Sequence, residues 1–159
     1  MAAIHDMFTL LCDARLRRKA AQWRWLNADR HRLMFLRRLA KHSGLLADNG
    51  EVTPLVTQWL ELPLAEQSSF LIEAWITEKD EPVRRALWMR WQTLKVGETI
   101  KASELTQRES LARQRWFWLP LVWLGLTAAR GKAASPELIR LSAPLWHESE
   151  DRSFPLWRV

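Results

Sequence analysis

At 159 residues and 18.7 kDa the chain has room for one domain, or for two small ones sharing a core. Its 48% apolar and 26% charged residues exclude a disordered chain and fit a soluble, folded one. A formal charge of +6 favours phosphate-rich partners over acidic ones, and the longest uncharged run, residues 116–129, is too short for a membrane-spanning helix of about 20 residues.

From Ala2 to Leu26 the pattern is helical, uninterrupted by Gly or Pro and rich in Ala, Leu and Arg. Apolar residues precede basic ones in MAAIHDMFTLLCDARLRRK, the reverse of a secretory signal, so no export is expected. The lone Cys12 forms no internal disulfide and fits a reducing, cytoplasmic compartment. Asn27 and Asp29 offer a cap for a second helix over about 28–43, with Gly44 just past its end. On a wheel of about 100° per residue, Leu33, Phe35, Leu36, Leu39 and Ala40 share one arc. Arg30, His31, Arg37, Arg38, Lys41 and His42 share the other, with Met34 among them, and Arg32 alone intrudes on the apolar side. This helix is expected to bury one face and turn a nearly all-basic face outward.

Asp48-Asn49-Gly50 predicts a tight turn between two very short strands. Thr53-Pro54 reads as N-cap and first residue of a helix to about Glu61. Pro63 starts another to about Thr77, with Phe70, Leu71, Ala74 and Trp75 at core spacing. Asp80-Glu81-Pro82 opens the next, to about Lys95, closed by Gly97. Thr106 and Glu109 have the spacing of a capping box ahead of a helix toward Leu124, which Pro120 must kink or split. Apolar residues lie all round that helix, so it is expected to be buried or covered by a partner. Ser135-Pro136-Glu137 caps a helix, or the alternation of Ile139 and Leu141 makes a strand; the pattern leaves both open. Charge runs in blocks along these elements: net +7 over residues 1–45, −7 over 46–82, +7 over 83–140 and −1 over 141–159. The acidic block faces solvent or docks on a basic surface.

Two stretches echo each other. RHRLMFLRRLAKHSGLLADNGEVTPLVTQWL (30–60) and RQRWFWLPLVWLGLTAARGKAASPELIRLSAPLW (113–146) each begin with a helix that ends at Gly-Leu, namely Gly44-Leu45 and Gly125-Leu126. Each continues through a polar turn with Gly (Gly50, Gly131) to a short apolar piece with Thr or Ser near Pro-Leu. Helix, Gly-Leu, hairpin, short helix is the trace of a winged-helix unit, in which the helix before the Gly is the recognition helix. Gly44-Leu45-Leu46, Val52-Thr53-Pro54, Trp59-Leu60 with Leu62-Pro63, Glu66-Gln67 and Ala74-Trp75 carry a family resemblance. Over roughly residues 30–78, and with fewer matches over 113–159, the chain resembles the winged-helix region that precedes the motor in bacterial relatives of the XPB helicase. The resemblance implies an accessory role in nucleic-acid engagement. The chain departs from that pattern in lacking a motor: Gly131-Lys132 is followed by Ala133, so no phosphate-binding loop is formed. The recognition helix expected in the second unit is apolar instead of basic, which points to dimerisation or docking on a protein.

No catalytic constellation stands out. His5, His31, His42 and His147 lack metal-ligand spacing, and there is no nucleophile elbow or Gly-rich loop. The expected protein is therefore a non-enzymatic nucleic-acid-binding accessory protein without cofactor, metal or membrane contact. Its fold class is mainly α: two degenerate winged-helix-like units sharing helices and carrying short β-hairpins, one basic over residues 1–80 and one Trp-rich over 81–159. Double-stranded DNA is the expected partner, met along groove or phosphates by Arg30, His31, Arg37, Arg38 and Lys41, with Arg15, Arg18 and Lys19 extending the surface. The alternative is a protein-interaction subunit, or a self-associating one, docking through Trp116, Trp118 and Trp123, since Trp is what interface hot spots use. A solvated basic face on an ordinary core helix fits the same pattern. An enzyme of unrecognised type would need a pocket of perturbed titratable groups, which a sequence does not display.

Overall fold

The structure, a computed structural model, describes residues 2–15, 30–106, 111–132 and 136–141. These are mainly helical, with one small three-stranded antiparallel sheet. They divide into two compact units, one of residues up to Trp75 and one from Ile76 onward.

In the first unit, α1 (Ala2–Arg15) packs on α2 (Arg30–His42). Met7, Leu10 and Leu11 from α1 and Phe35, Leu36 and Leu39 from α2 are buried, as the apolar spacing of both helices requires. The rest of the stretch predicted as helical to Leu26 lies outside the described residues. α2 ends because Gly44 takes φ +80°, a left-handed conformation in which any side chain is strained. The chain turns back at once: the Leu46 amide donates to the Ala40 carbonyl at 3.0 Å. The predicted hairpin is present in miniature, a single bridge pairing Leu46 with Val52. Gly50, at φ +84°, lets its amide reach the Ala47 carbonyl at 2.9 Å while the Ala47 amide reaches Glu51. That is a short turn closed by a left-handed residue.

α3 (Leu55–Glu61) follows, and its start corrects one expectation. Thr53 does not cap it: the hydroxyl donates to the Gly44 carbonyl at 2.5 Å, tying the exit of the hairpin to the end of α2. α4 (Leu64–Glu78) begins after Pro63 as predicted. Trp59 of α3 is buried, and its indole N–H donates to the Gln67 carbonyl at 3.4 Å. The buried Gln67 side chain returns donors to the carbonyls of Leu60 and Leu62, satisfying the end of α3 that the chain leaves behind.

In the second unit, α5 (Glu81–Gln92) starts at Asp80, held at φ +50°. Past Gly97 come β1 (Thr99–Lys101) and α6 (Ala102–Thr106), neither of which the sequence reading anticipated. The capping-box expectation fails at Thr106, which ends α6 instead of opening a helix. Its hydroxyl bonds back to the Ala102 carbonyl at 2.7 Å, while Glu109 lies outside the described residues. α7 (Leu111–Trp123) contains Pro120, which does not split it. β2 (Thr127–Arg130) and β3 (Glu137–Arg140) then pair, settling the segment after Pro136 as strand. β3 lies between its neighbours, giving the sheet order β1-β3-β2.

One joint closes this unit. The Trp88 and Trp91 rings stack at 5.0 Å between centroids. The Arg140 guanidinium lies over Trp91, 4.6 Å from the ring centroid, and donates to the carbonyls of Gln92, the last residue of α5, and of Leu94 just beyond it. The Trp91 indole N–H donates to the Thr127 hydroxyl on β2 at 2.9 Å. A helix end, a stacked ring pair and two strands are thereby fastened through one arginine and one tryptophan.

Candidate nucleic-acid interface

α2 sorts its residues by burial as its sequence dictates. Phe35, Leu36, Leu39 and Ala40 are buried, whereas His31, Met34, Arg37, Arg38, Lys41 and His42 are exposed. At 3.6 residues per turn the exposed residues cover an arc of about 140°. No acidic residue lies on the helix. The surface is thus a strip of cations with one apolar side chain, Met34, in its middle.

Arg32, Lys41 and Arg38 show how differently the cations of α2 are used. Arg32, which the wheel placed on the apolar side, forms an ion pair with Asp6 of α1, both side chains being largely buried. Burial raises the Asp6 carboxyl above its ordinary value, and the Arg32 guanidinium only partly offsets that cost. Lys41 donates from Nζ to the Asp48 carbonyl at 2.8 Å, clamping the tip of the hairpin to the helix. Arg38 sits over the Phe35 ring at 5.8 Å from its centroid, which fixes the stem while leaving the residue exposed. Arg37 is exposed. Arg30 opens α2 and Arg15 closes α1. Arg18 and Lys19 lie outside the described residues. The hairpin tip adds no cation: Asp48 and Glu51 are exposed there.

The candidate partner contacts in the second unit separate in the same way. Trp118 and Trp123 are buried, whereas Trp116 is 59% exposed beside exposed Arg115. The all-round apolar character of α7 therefore supplies core on most sides and one outward indole.

Several of the motif residues are joints: Gly44 at a helix end, Thr53 bonded to it, and Trp59 and Gln67 buried together. The sequence reading missed the partners of Arg32 and Lys41. A basic residue on an apolar arc is itself the signal to look for an acid on the facing helix, and α1 offers Asp6. Among the described residues no group of three or more His, Cys, Asp or Glu side chains is placed to hold a metal ion, and no helix is long and apolar enough to cross a membrane. The chain matches no family model, no curated protein and no solved structure.

Proposed function

We propose that this chain is a non-enzymatic nucleic-acid-binding accessory protein of a reducing, cytoplasmic compartment, built from two winged-helix-like units, that grips duplex DNA through the outer face of α2. The observation that carries the reading is the exposed strip His31, Arg37, Arg38, Lys41 and His42 on a helix that runs directly into a hairpin. The second unit supports the fold reading by its order. Helix, strand, helix, helix and hairpin, with the last strand inserted between the other two, is the order a winged-helix unit would have, and it supports reading α7 as the counterpart of a recognition helix. The resemblance to regions beside helicase motors agrees with an accessory role.

The test is duplex binding across a salt series, for wild type and for Arg37→Gln/Arg38→Gln. Lys41 is left intact because its ammonium also holds the hairpin. Two lost phosphate contacts are expected to flatten the slope of log affinity against log salt by about 1.8, and to weaken binding roughly 50-fold at 0.1 M salt. A double variant that binds with wild-type affinity and slope overturns the reading.

A second reading is favoured by Trp116, whose exposed indole on α7 suits association between copies or with another protein. Sedimentation velocity over a concentration series is expected to show self-association of wild type that Trp116→Ser abolishes. A wild type that stays monomeric throughout removes this reading.

A further inference from the structure

We infer that α2 enters the major groove of B-form DNA with Met34 packed against thymine 5-methyl groups, so that the strip reads the apolar content of the groove as well as its charge. The inference rests on the proposed DNA-binding role of this face and adds which duplex chemistry it selects. Singly exposed apolar side chains are common on protein surfaces, so exposure of Met34 alone argues nothing. Its position carries the argument. Met34 is 57% exposed and lies near the middle of the exposed arc. His31 is one turn before it, Arg37 and Arg38 one turn after, and Lys41 two turns after, all exposed on the same side.

A helix that only tracks phosphates along one ridge needs cations and no central apolar group. A helix seated in a groove meets phosphates at its two flanks and base edges along its midline. The arc has that order: Arg37 and Lys41 lie toward one flank, Arg38, His31 and His42 toward the other, and the thioether between them. The only apolar group on base edges in the major groove is the thymine methyl. Methionine, unbranched and polarisable, adapts to such a methyl without a fixed geometry. The size agrees: thirteen residues make a helix of about 20 Å, and the major groove is about 12 Å wide and admits it. The deep, narrow major groove of an RNA duplex does not admit a helix, so duplex RNA is the poorer ligand.

The experiment compares an alternating adenine–thymine duplex with the same duplex carrying uracil in place of thymine. The two have identical charge and differ only in the methyl groups. Wild type is expected to bind the uracil duplex about fourfold more weakly per contacted methyl, the worth of one buried methyl-sized group. Met34→Gln, a change at an exposed position, is expected to bind the two duplexes equally. Equal binding of both duplexes by wild type overturns the inference and leaves DNA binding standing. A methyl preference that survives in Met34→Gln overturns the assignment to Met34. Failure of wild type to bind either duplex overturns this inference together with the reading beneath it.

Discussion

Replacing Arg140 with Met is expected to lower the thermal midpoint of the chain by about 10 °C, read by far-ultraviolet circular dichroism. Met fills much of the same volume, so the loss isolates what the guanidinium does. It donates to the carbonyls of Gln92 and Leu94, which lie at the end of α5 where carbonyls have no partner within the helix. It also lies over Trp91, and a cation on a partly desolvated indole contributes about 1 kcal/mol. Charged donors on carbonyls add about 1.5 to 3 kcal/mol, so a total near 2.5 kcal/mol is expected after Met recovers some packing. At about 4 °C per kcal/mol for a chain of this size, the shift follows. Arg140→Lys should fall between the two, since an ammonium keeps charge but does not stack and fork at once. A Met variant that melts within 2 °C of wild type would remove the joint from the account.

Arg32→Met is expected to destabilise the first unit by about 2 kcal/mol near neutral pH, because it strands the Asp6 carboxylate in a largely buried site. Adding Asp6→Asn should restore most of the loss, the sign that the two residues act as a pair. The pH dependence distinguishes this from simple packing. Burial already raises the Asp6 pKa above 3.8, so the folded protein holds that proton more tightly than the unfolded chain. The stabilisation from protonated Asp6 is complete below 3.8 and is lost as pH rises through the folded value. Removing Arg32 takes away the cation that lowers the Asp6 carboxyl most and pushes it higher still, so the deficit of Arg32→Met should shrink as the solution is acidified. Urea unfolding at a series of pH values measures it. A deficit that is constant with pH would mean the ion pair contributes nothing beyond volume.

The helices and the charged strip were legible because both are local. The period of Leu33, Phe35, Leu36, Leu39 and Ala40 specifies which side of α2 is buried, and the cations fall where the apolar residues do not. Gly44, Gly50 and Gly97 mark turns for a reason confined to their own backbone angles. The β2–β3 hairpin was legible in part, from the Gly131 turn and the alternation at Ile139 and Leu141, but β1 was not, for the opposite reason. β1 is three residues long, and its partner Glu137–Arg140 lies far along the chain, so neither strand carries enough pattern to predict the other. Thr106 shows how a local rule fails: its spacing to Glu109 is right, but the residue belongs to the last turn of α6, where its hydroxyl donates to the Ala102 carbonyl. The site was half legible. A wheel separates exposed from buried cations, yet it does not reveal that Lys41 reaches across to a hairpin carbonyl or that Arg32 answers an acid on another helix.

The sheet order has a consequence for how the second unit comes into being. β1 and β2 do not pair with each other; both pair only with β3, the last of the three to leave a ribosome. Until residues 137–140 emerge, two strand edges have no ladder, and the end of α5 lacks the arginine that covers its carbonyls. The ladder of this sheet is therefore completed by the strand that comes last of the three in sequence. Such non-local closure is slow compared with helix formation, and the interval before it is when this unit is most exposed to pairing with the wrong strand.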